Sequence, residues 1–377
     1  MRVIFATPIY PPEVGGPATY TVDLAERMRG EHHISIVAYA DGAEPVPSTH
    51  LISVSKKQIL PVRLYKMYRA LVREAKQADL IYVQNAVAAG LPAVIAGKKL
   101  KKPVILKFVG DEAWERARQA GKTTKQLEDF YTSPEGGLKT KVFMAIQRYV
   151  LGRASLVTTP SAYLGELLIT HYGVKREKFF LNYNAVDVPP LPHLERKQYQ
   201  LMVAVRLVAW KGVEGIIRAF ALLKNKFPTA TLMVAGEGPE LERLKRVAVW
   251  EDVSASVHFL GRLSKKEVLE LQSASAVQVL NSSYEGMPHG ALESFATRTP
   301  IVATDIPGTN EAVFNEKTGL LVPVGDEQAL ARAIERMFTD AQLRERVVEG
   351  GSHLLADKFS WEAHLARLNE MFKKVHS

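Results

Sequence analysis

Short apolar runs alternate with helical patterns along the whole chain, and this alternation constrains the fold more than any other sequence feature. Continuous apolar runs separated by helices are typical of a parallel sheet covered on both faces. In the first half, strands are predicted at residues 3–7, 34–38, 80–83, 104–108 and 156–159, with a helix over about residues 17–29. In the second half, strands are predicted at residues 202–205, 231–235, 256–260, 276–280, 301–304 and 320–322.

A proline-rich stretch, residues 187–193, separates the two halves. Three prolines in four positions cannot continue a helix or a central strand, so we predict a linker there. The length of 377 residues also exceeds what one hydrophobic core usually supports. We therefore predict an α/β protein with two Rossmann-like doubly wound domains. Such sheets bind ligands at the carboxyl ends of their strands, so two that face each other would place a cleft between them.

Composition excludes several classes of protein. The chain has no cysteine, which excludes a disulfide scaffold, a thiolate zinc site and a cysteine nucleophile. Its short apolar start runs into a Pro/Gly loop instead of a small-residue cleavage site, so we do not expect a signal peptide. The uncharged run 80–97 is interrupted by polar residues, glycine and proline, and we interpret it as strand, loop and helix instead of a membrane span.

The excess of positive over negative charge is confined to the first half. Residues 1–190 hold 26 Lys and Arg against 17 Asp and Glu, a net +9, whereas residues 191–377 hold 23 of each. Between residues 61 and 77, cations recur every three or four residues and form one helical stripe: Arg63, Lys66, Arg69, Arg73 and Lys76. A second basic cluster follows at residues 98–102. The stripe is either the solvated face of a helix or a contact with an anionic membrane surface.

The segment 284–293 carries two glutamates, Glu285 and Glu293. Pro288 suits the first turn of a helix, which places Glu285 on a loop and Glu293 in the helix. A helix N-terminus favours anions, so the two carboxylates would bind hydroxyl groups on either side of a phosphate. The other interpretation is an ordinary loop with two solvated glutamates.

Two cations that follow the first strand of the second half, residues 202–205, favour the interpretation of this segment as an anion site. Arg206 ends that strand, and Lys211 with Gly212 opens the next helix, so both are predicted to reach the same cleft. Arg provides a fork of donors and Lys a point charge, which together suit a diphosphate. The alternative is that both are ordinary surface charges.

These motifs occur in an order that resembles family 4 of the retaining glycosyltransferases, which have the GT-B fold. The matching strings are Arg206 with Lys211-Gly212, residues 236–239, 259–261, 285–293 and 300–304. The resemblance implies a nucleoside-diphosphate sugar donor held mainly by the C-terminal domain, residues 189–359, and no metal. It also implies an N-terminal acceptor-side domain, residues 1–188, on which a final helix over 360–377 packs back.

The resemblance further assigns roles to single positions. Arg206 and Lys211 would neutralise the leaving diphosphate, Glu285 would contact the donor sugar, and Glu293 would bind the ribose hydroxyls. The remaining donor-binding positions are Gly15, Gly16, Leu263, Gly286, Met287, Pro288, His289 and Gly290.

The sequence departs from the family in one place that concerns the acceptor side. Val109 stands where the family often has a histidine, so Asp111 is the nearest polar candidate for a catalytic or hydroxyl-binding role. Residues 110–137 are expected to form a long binding loop in which Trp114 stacks on an acceptor sugar; core packing is the other interpretation for this tryptophan.

We therefore expect a metal-independent, retaining glycosyltransferase without a cofactor, using a UDP-, GDP- or ADP-sugar. The expected partners are a glycan or lipid-linked acceptor and, through the basic stripe, an anionic membrane; no nucleic acid is expected. The expected location is cytoplasmic, with a peripheral position on the inner face of the membrane left open. The open alternatives are a sugar-nucleotide epimerase of the same fold and a non-catalytic nucleotide-sugar-binding subunit.

Overall fold

The computed structural model describes residues 1–13, 15–186 and 194–376. These residues form two compact units, one comprising Met1–Asn182 with Ala366–Ser377 and the other Tyr183–Leu365. We call them unit 1 and unit 2. The predicted linker, and with it the boundary between residues 188 and 189, lies outside the described residues, and that boundary stays a prediction.

Unit 1 is built on a seven-stranded parallel sheet. Its strands are β1 (Arg2–Thr7), β2 (His33–Tyr39), β3 (His50–Val54), β4 (Leu80–Gln84), β5 (Val104–Lys107), β6 (Leu156–Thr159) and β7 (Phe179–Leu181). They lie in the order β3-β2-β1-β4-β5-β6-β7. The direction of winding reverses at β1, which lies between β2 and β4, as in doubly wound sheets. The edge strands β3 and β7 were not predicted.

The helices of unit 1 cover the sheet. They are α1 (Gly16–Met28), α2 (Leu60–Ala75), α3 (Gly90–Leu100), α4 (Glu112–Gln119), α5 (Leu127–Thr132), α6 (Gly137–Arg153) and α7 (Ala162–Tyr172). Buried side chains of α2, α3, α6 and α7 join one hydrophobic cluster with strand residues such as Ile81 and Leu106. These four helices therefore lie on the same face of the sheet.

Unit 2 has a six-stranded parallel sheet. Its strands are β8 (Lys197–Ala204), β9 (Thr231–Ala235), β10 (Val257–Gly261), β11 (Ser275–Leu280), β12 (Ile301–Thr304) and β13 (Leu320–Val322), in the order β10-β9-β8-β11-β12-β13. All six were predicted within a few residues. Two Rossmann-like parallel α/β units confirm the predicted fold class.

Helices alternate with most of the strands of unit 2. They are α8 (Val213–Lys224), α9 (Leu241–Trp250), α10 (Lys265–Ser273), α11 (His289–Ala296), α12 (Glu327–Thr339) and α13 (Ala341–Lys358); α14 (Trp361–His376) begins in unit 2 and continues into unit 1. In α8, Val213, Ile216 and Phe220 recur at helical spacing and are buried in the main cluster of unit 2. Ser264 and Glu267 form a capping box at the start of α10.

One prediction about unit 1 is wrong. Residues 110–137 contain α4 and α5 and are not a long open loop. Trp114 lies on α4, is completely buried, and its Nε1 donates a hydrogen bond of 3.0 Å to the carbonyl oxygen of Lys125. An indole held in this way cannot stack on an acceptor sugar, and core packing is the correct interpretation of this residue.

We predict that Trp114→Ala lowers the free energy of unfolding by about 3–5 kcal/mol, because it empties a large buried site. Trp250→Ala is the matched control, since this side chain is 87% exposed on α9, and a change of about 0.5 kcal/mol or less is expected. Urea denaturation followed by far-ultraviolet circular dichroism measures both. Equal stabilities of the two variants would contradict the burial of Trp114.

Candidate active site

The carboxyl edge of the unit 2 sheet brings together two loops from neighbouring strands. The order of strands reverses at β8, so the loop after β8 and the loop after β11 lie side by side. Asn281 Nδ2 donates to the carbonyl oxygen of Gly212 over 2.9 Å, and the Ser283 N–H donates to the carbonyl oxygen of Trp210 over 2.8 Å. These bonds fix the two loops to each other, at the position where doubly wound sheets bind ligands.

An ion pair joins the loops at their centre. Lys211 Nζ lies 2.5 Å from Glu285 Oε1, and the hydroxyl of Ser282 donates to the same oxygen over 2.7 Å. The side chains of Lys211 and Glu285 are only 19% and 11% exposed. The carboxylate is therefore held in one orientation, and the ammonium lies where it can also reach an incoming anion.

Arg206 lies just beyond the carboxyl end of β8 and is exposed. No carboxylate pairs with it in the part of the chain that the structure describes. Its guanidinium, a planar fork of five donors, is thus open to an anionic ligand.

Two glycines allow another turn to pack closely against the backbone on both sides of Arg206. A Cβ on Gly236 would lie 1.9 Å from the carbonyl oxygen of Val205, and a Cβ on Gly238 would lie 2.2 Å from that of Leu207. The turn after β9 therefore packs directly against the residues on both sides of Arg206. The Gly-Glu-Gly-Pro string, weak by itself in the sequence, has this close approach as its structural reason.

The N-terminus of α11 completes this edge. Pro288 occupies its N-cap, His289 is exposed in its first turn, and Nδ2 of Asn184 lies 2.9 Å from His289 Nε2. A Cβ on Gly290 would lie 2.7 Å from Gln278 Nε2, so glycine lets the helix sit close to β11. The first turn presents free backbone N–H groups, which favour negative charge.

Gly308 packs against the loop after β11. It has a φ of +82°, and a Cβ there would lie 2.3 Å from the carbonyl oxygen of Glu285. Met287 is buried in the cluster beneath α11, whereas Gly286 is partly exposed. The backbone from Glu285 to Pro288 is thus held between a second loop and the core.

Glu293 lies in the second turn of α11 and is partly buried. Burial raises the pKa of its carboxyl from 4.5 to about 7, while the charge of Lys265 acts in the opposite direction. Leu263 lies in the loop that leads to Lys265 and is half-buried. Glu293 and the loop after β10 are therefore neighbours.

The remaining predicted residues lie in unit 1. Gly15 is the N-cap of α1, and Gly16 is its first residue. A Cβ on Gly15 would lie 2.6 Å from Ile9 Cδ1, whereas one on Gly16 would meet nothing within 4 Å. Val109, the position at which the resemblance led us to expect a histidine, is 43% exposed.

The structure does not place Asp111 where a substrate could reach it. Its carboxylate is completely buried and caps α4 by accepting a 2.9 Å hydrogen bond from the Trp114 N–H. It also accepts from the hydroxyls of Tyr131 (2.8 Å) and Tyr172 (2.6 Å), and from Gln147 Nε2 (3.0 Å). Four donors satisfy this carboxylate, so its catalytic assignment is corrected to a structural one.

One buried cation was missed by the sequence analysis. Lys107, at the end of β5, is 3% exposed, and its Nζ lies 3.7 Å from the centre of the Tyr20 ring. Burial lowers the pKa of its ammonium to about 7. A lysine inside an otherwise apolar strand was the signal that could have found it.

Among residues 1–13, 15–186 and 194–376, no helix combines the length and the apolar character needed to cross a lipid bilayer. The same residues contain no group of three or more His, Asp or Glu side chains arranged to hold a metal ion.

Both units of the chain match known proteins. The family model described as "Glycosyltransferase Family 4" matches residues 14–189, and the one described as "Glycosyl transferases group 1" matches residues 190–353. The complex of Anabaena HepE with UDP and glucose superposes with a TM-score of 0.79 at 19% identity, over 99% of this chain and 100% of that one. Sucrose-phosphate synthase from Thermosynechococcus elongatus gives 0.78 at 19% identity, over 99% and 98% of the two chains.

Curated relatives match shorter segments. A glycogen synthase of Mycobacterium tuberculosis is 29% identical over 231 residues, which are 60% of this chain and 56% of that protein. The lipopolysaccharide core biosynthesis glycosyltransferase LpsE of Rhizobium meliloti is 35% identical over 158 residues, 42% and 45% of the two chains. The chain thus spans about half the length of the curated relatives it matches.

The two-unit fold is shared with these structures, and both family models describe glycosyltransferases, so the class is that of glycosyltransferases with the GT-B fold. The two family models together account for residues 14–353. Within that class, the chain belongs to glycosyltransferase family 4.

The raised pKa of Glu293 predicts a pH-dependent stability. Between the unfolded value of 4.5 and the folded value of about 7, the folded state binds more protons, so stability falls as pH rises through this interval. Glu293→Gln has no carboxyl group to titrate at this position, so the variant does not lose stability in this way as the pH rises. The melting temperature of the variant relative to the wild type should therefore increase between about pH 5 and about pH 8. Calorimetry at several pH values measures it.

The exposed Glu345 on α13 offers the control. Glu345→Gln removes one negative charge from the same unit at the surface. If Glu293→Gln and Glu345→Gln show the same pH dependence, burial does not raise the pKa of Glu293.

Proposed function

We propose that this protein transfers a sugar from a nucleoside diphosphate to an acceptor hydroxyl, with retention at the anomeric carbon. The observation that carries the proposal is the carboxyl edge of the unit 2 sheet, where the loop that contains Arg206 and Lys211 is hydrogen-bonded to the loop that leads into α11. Two cations beside free backbone N–H groups suit a diphosphate. The HepE structures contain UDP and UDP-glucose, which supports a nucleotide-sugar donor in this fold.

The chemical role of the cations follows from where charge develops. As the glycosidic bond to the donor breaks, negative charge accumulates on the departing diphosphate. Arg206 donates to its oxygens, and Lys211, already oriented by Glu285, adds a second positive charge at a fixed position. Donors that are preorganised before the reaction stabilise the transition state without reorganising during it.

The two glutamates have different roles in this proposal. Glu285 is held by Lys211 and Ser282, which leaves its second carboxylate oxygen for the hydroxyls of the donor sugar. Glu293, further along α11, accepts hydrogen bonds from the ribose hydroxyls. The backbone from Gly286 to Gly290 holds the sugar and phosphates, and Leu263 lies beside the nucleobase.

The acceptor proton needs no strong protein base in this scheme. The diphosphate oxygen that leaves the sugar accepts it, while the new bond forms on the face from which the diphosphate departs. The reaction uses no resident metal or cofactor.

The test is product analysis with a library of nucleotide sugars and membrane lipid extracts as acceptors. We expect radiolabelled sugar in the acceptor fraction, an unchanged anomeric configuration by nuclear magnetic resonance, and full activity in EDTA. Conversion of the donor without any acceptor would indicate an epimerase, and binding without turnover would indicate a non-catalytic subunit. Activity restored only by Mn²⁺ or Mg²⁺ would contradict metal independence.

We predict that Arg206→Ala and Lys211→Ala each lower kcat by about 10²-fold or more, the usual effect of removing one stabiliser of developing negative charge. Arg246→Ala is the matched control, because this arginine is exposed on α9. Steady-state kinetics with the best donor measure all three. Wild-type turnover in both site variants would show that the diphosphate binds elsewhere.

We further propose that the enzyme works on an acceptor at an anionic membrane surface, through the basic stripe of α2. Met67, Leu71 and Ala75 bury the other side of this helix against the sheet. Lys66, Arg69, Arg73 and Lys76 remain exposed, whereas Arg63 is partly buried over the ring of Tyr39. Each exposed cation near an anionic surface contributes about 1 kcal/mol at most.

Replacement of Arg69, Arg73 and Lys76 by Gln should therefore weaken sedimentation with vesicles that contain phosphatidylglycerol. Binding of the wild type should also weaken with added salt, because salt screens exposed charges. Vesicles of phosphatidylcholine alone serve as the control. If the wild type does not bind anionic vesicles at low salt, the acceptor is a soluble glycan or small molecule.

A further inference from the structure

Helix α6 carries a stripe of apolar side chains on its exposed side. Leu138, Val142 and Tyr149 are 79%, 47% and 40% exposed, and Ala145 between them is exposed as well. Their spacing of four, three and four residues places them on one face of the helix. Isolated exposed apolar residues are common, but a continuous stripe indicates an interaction surface.

The stripe belongs to a larger surface. Helix α3 packs closely beside α6, since a Cβ on Gly90 would lie 3.0 Å from Val150 Cγ1. Helix α3 also adjoins α2, where Lys99 Nζ lies 5.9 Å from the centre of the Tyr68 ring. All three helices contribute to the cluster on the same side of the sheet. We call their shared outer surface the α2–α3–α6 face.

This face combines apolar and basic side chains. Exposed apolar residues also occur on α3 and at the start of α2: Ile95, Ile59, Leu60, Val62 and Tyr65. The helices carry four Lys and Arg on α2, two on α3 and four on α6, against the single acidic residue Glu74. Apolar residues at the surface among basic ones are typical of elements that lie in the interface of an anionic bilayer.

We propose that the α2–α3–α6 face docks on an anionic membrane and that the α6 stripe enters the boundary between headgroups and acyl chains. The inference rests on the membrane-surface acceptor proposed above, and it assigns to α6 an insertion role that charge attraction alone does not require. The basic stripe of α2 attracts the surface, and the α6 stripe adds a contact that salt does not screen.

Charge argues against a second copy of this chain as the occupant. A twofold dimer brings the same patch of both copies together. On this face, it would set the four cations of α6 against each other with no carboxylate on that helix to pair with them. An anionic surface has the complementary charge.

Docking in this orientation has a consequence for the acceptor. Helix α2 ends a few residues before β4 begins, and α6 ends a few residues before β6 begins. The C-terminal ends of both helices therefore lie near the amino edge of the sheet. Their N-terminal ends, where Leu60 and Leu138 are exposed, therefore lie toward the carboxyl edge of the unit 1 sheet. Because ligands of such sheets bind at that edge, the acceptor side of unit 1 would lie close to the headgroups.

The experiment uses the full chain and vesicles with phosphatidylglycerol, without a sugar donor. Leu138→Ser, Val142→Ser and Tyr149→Ser are combined, and Leu222→Ser with Val249→Ser, at exposed apolar positions of unit 2, is the matched control. The α6 variant should lose the binding that persists at high salt, whereas the control should bind as the wild type does. Equal binding of both variants would overturn the proposal.

A second measurement tests insertion directly. Because the chain has no cysteine, Val142→Cys provides a unique site for an environment-sensitive fluorophore. We expect a blue shift on binding and quenching by lipids brominated near the start of the acyl chains, with no change for Leu222→Cys. A Val142 label that is not quenched by the lipids, or a stripe-dependent dimer in ultracentrifugation, would overturn it.

These outcomes are separable from the proposed chemistry. Transfer to a water-soluble acceptor should be the same for the α6 variant and the wild type. Loss of vesicle binding with intact transfer supports docking, whereas absence of transfer in the wild type itself would count against the proposed function and leave docking unaffected.

Discussion

The contact between the loops after β8 and β11 is the constraint on which the site of unit 2 depends. These loops are far apart in the sequence, and the parallel order of the strands is what places them side by side. Once hydrogen bonds to the carbonyl oxygens of Trp210 and Gly212 fix the loops, Lys211 and Glu285 can pair across them. A ligand that binds there meets groups that are already oriented, so binding does not have to supply the ordering entropy of these side chains.

Glycines make this arrangement possible by removing volume at a few positions. Gly236, Gly238 and Gly308 each approach a carbonyl oxygen to within a distance that no Cβ tolerates. The close approaches surround Arg206 and Glu285, the residues to which the chemistry is assigned. Alanine at these positions would move the loops apart and so disturb the site without changing any ligand-binding side chain.

Much of the fold could be predicted because internal strands of a parallel sheet are apolar on both faces. The edge strands β3 and β7 of unit 1 escaped prediction, whereas the edge strands β10 and β13 of unit 2 did not. In the structure β3 has a single buried residue and β7 has none, so neither is a continuous buried run. The site was partly predictable: local motifs placed Glu285 on a loop and Glu293 on a helix. The partner of Glu285 was not, because Lys211 lies 74 residues away. The buried position of Asp111 likewise depends on Tyr131 and Tyr172, which come from other helices.

The path of α14 has a consequence for biosynthesis. Leu368, Met371 and Phe372 are completely buried, and within unit 1 Phe372 packs 6.1 Å from the Tyr82 ring while Asn369 bonds His32. Unit 1 is therefore discontinuous in the chain, with all of Tyr183–Leu365 translated before its core can close. Domains usually fold in the order in which they leave the ribosome. Here unit 2 has the complete set of its residues first, and the nascent unit 1 must wait with part of its apolar core uncovered.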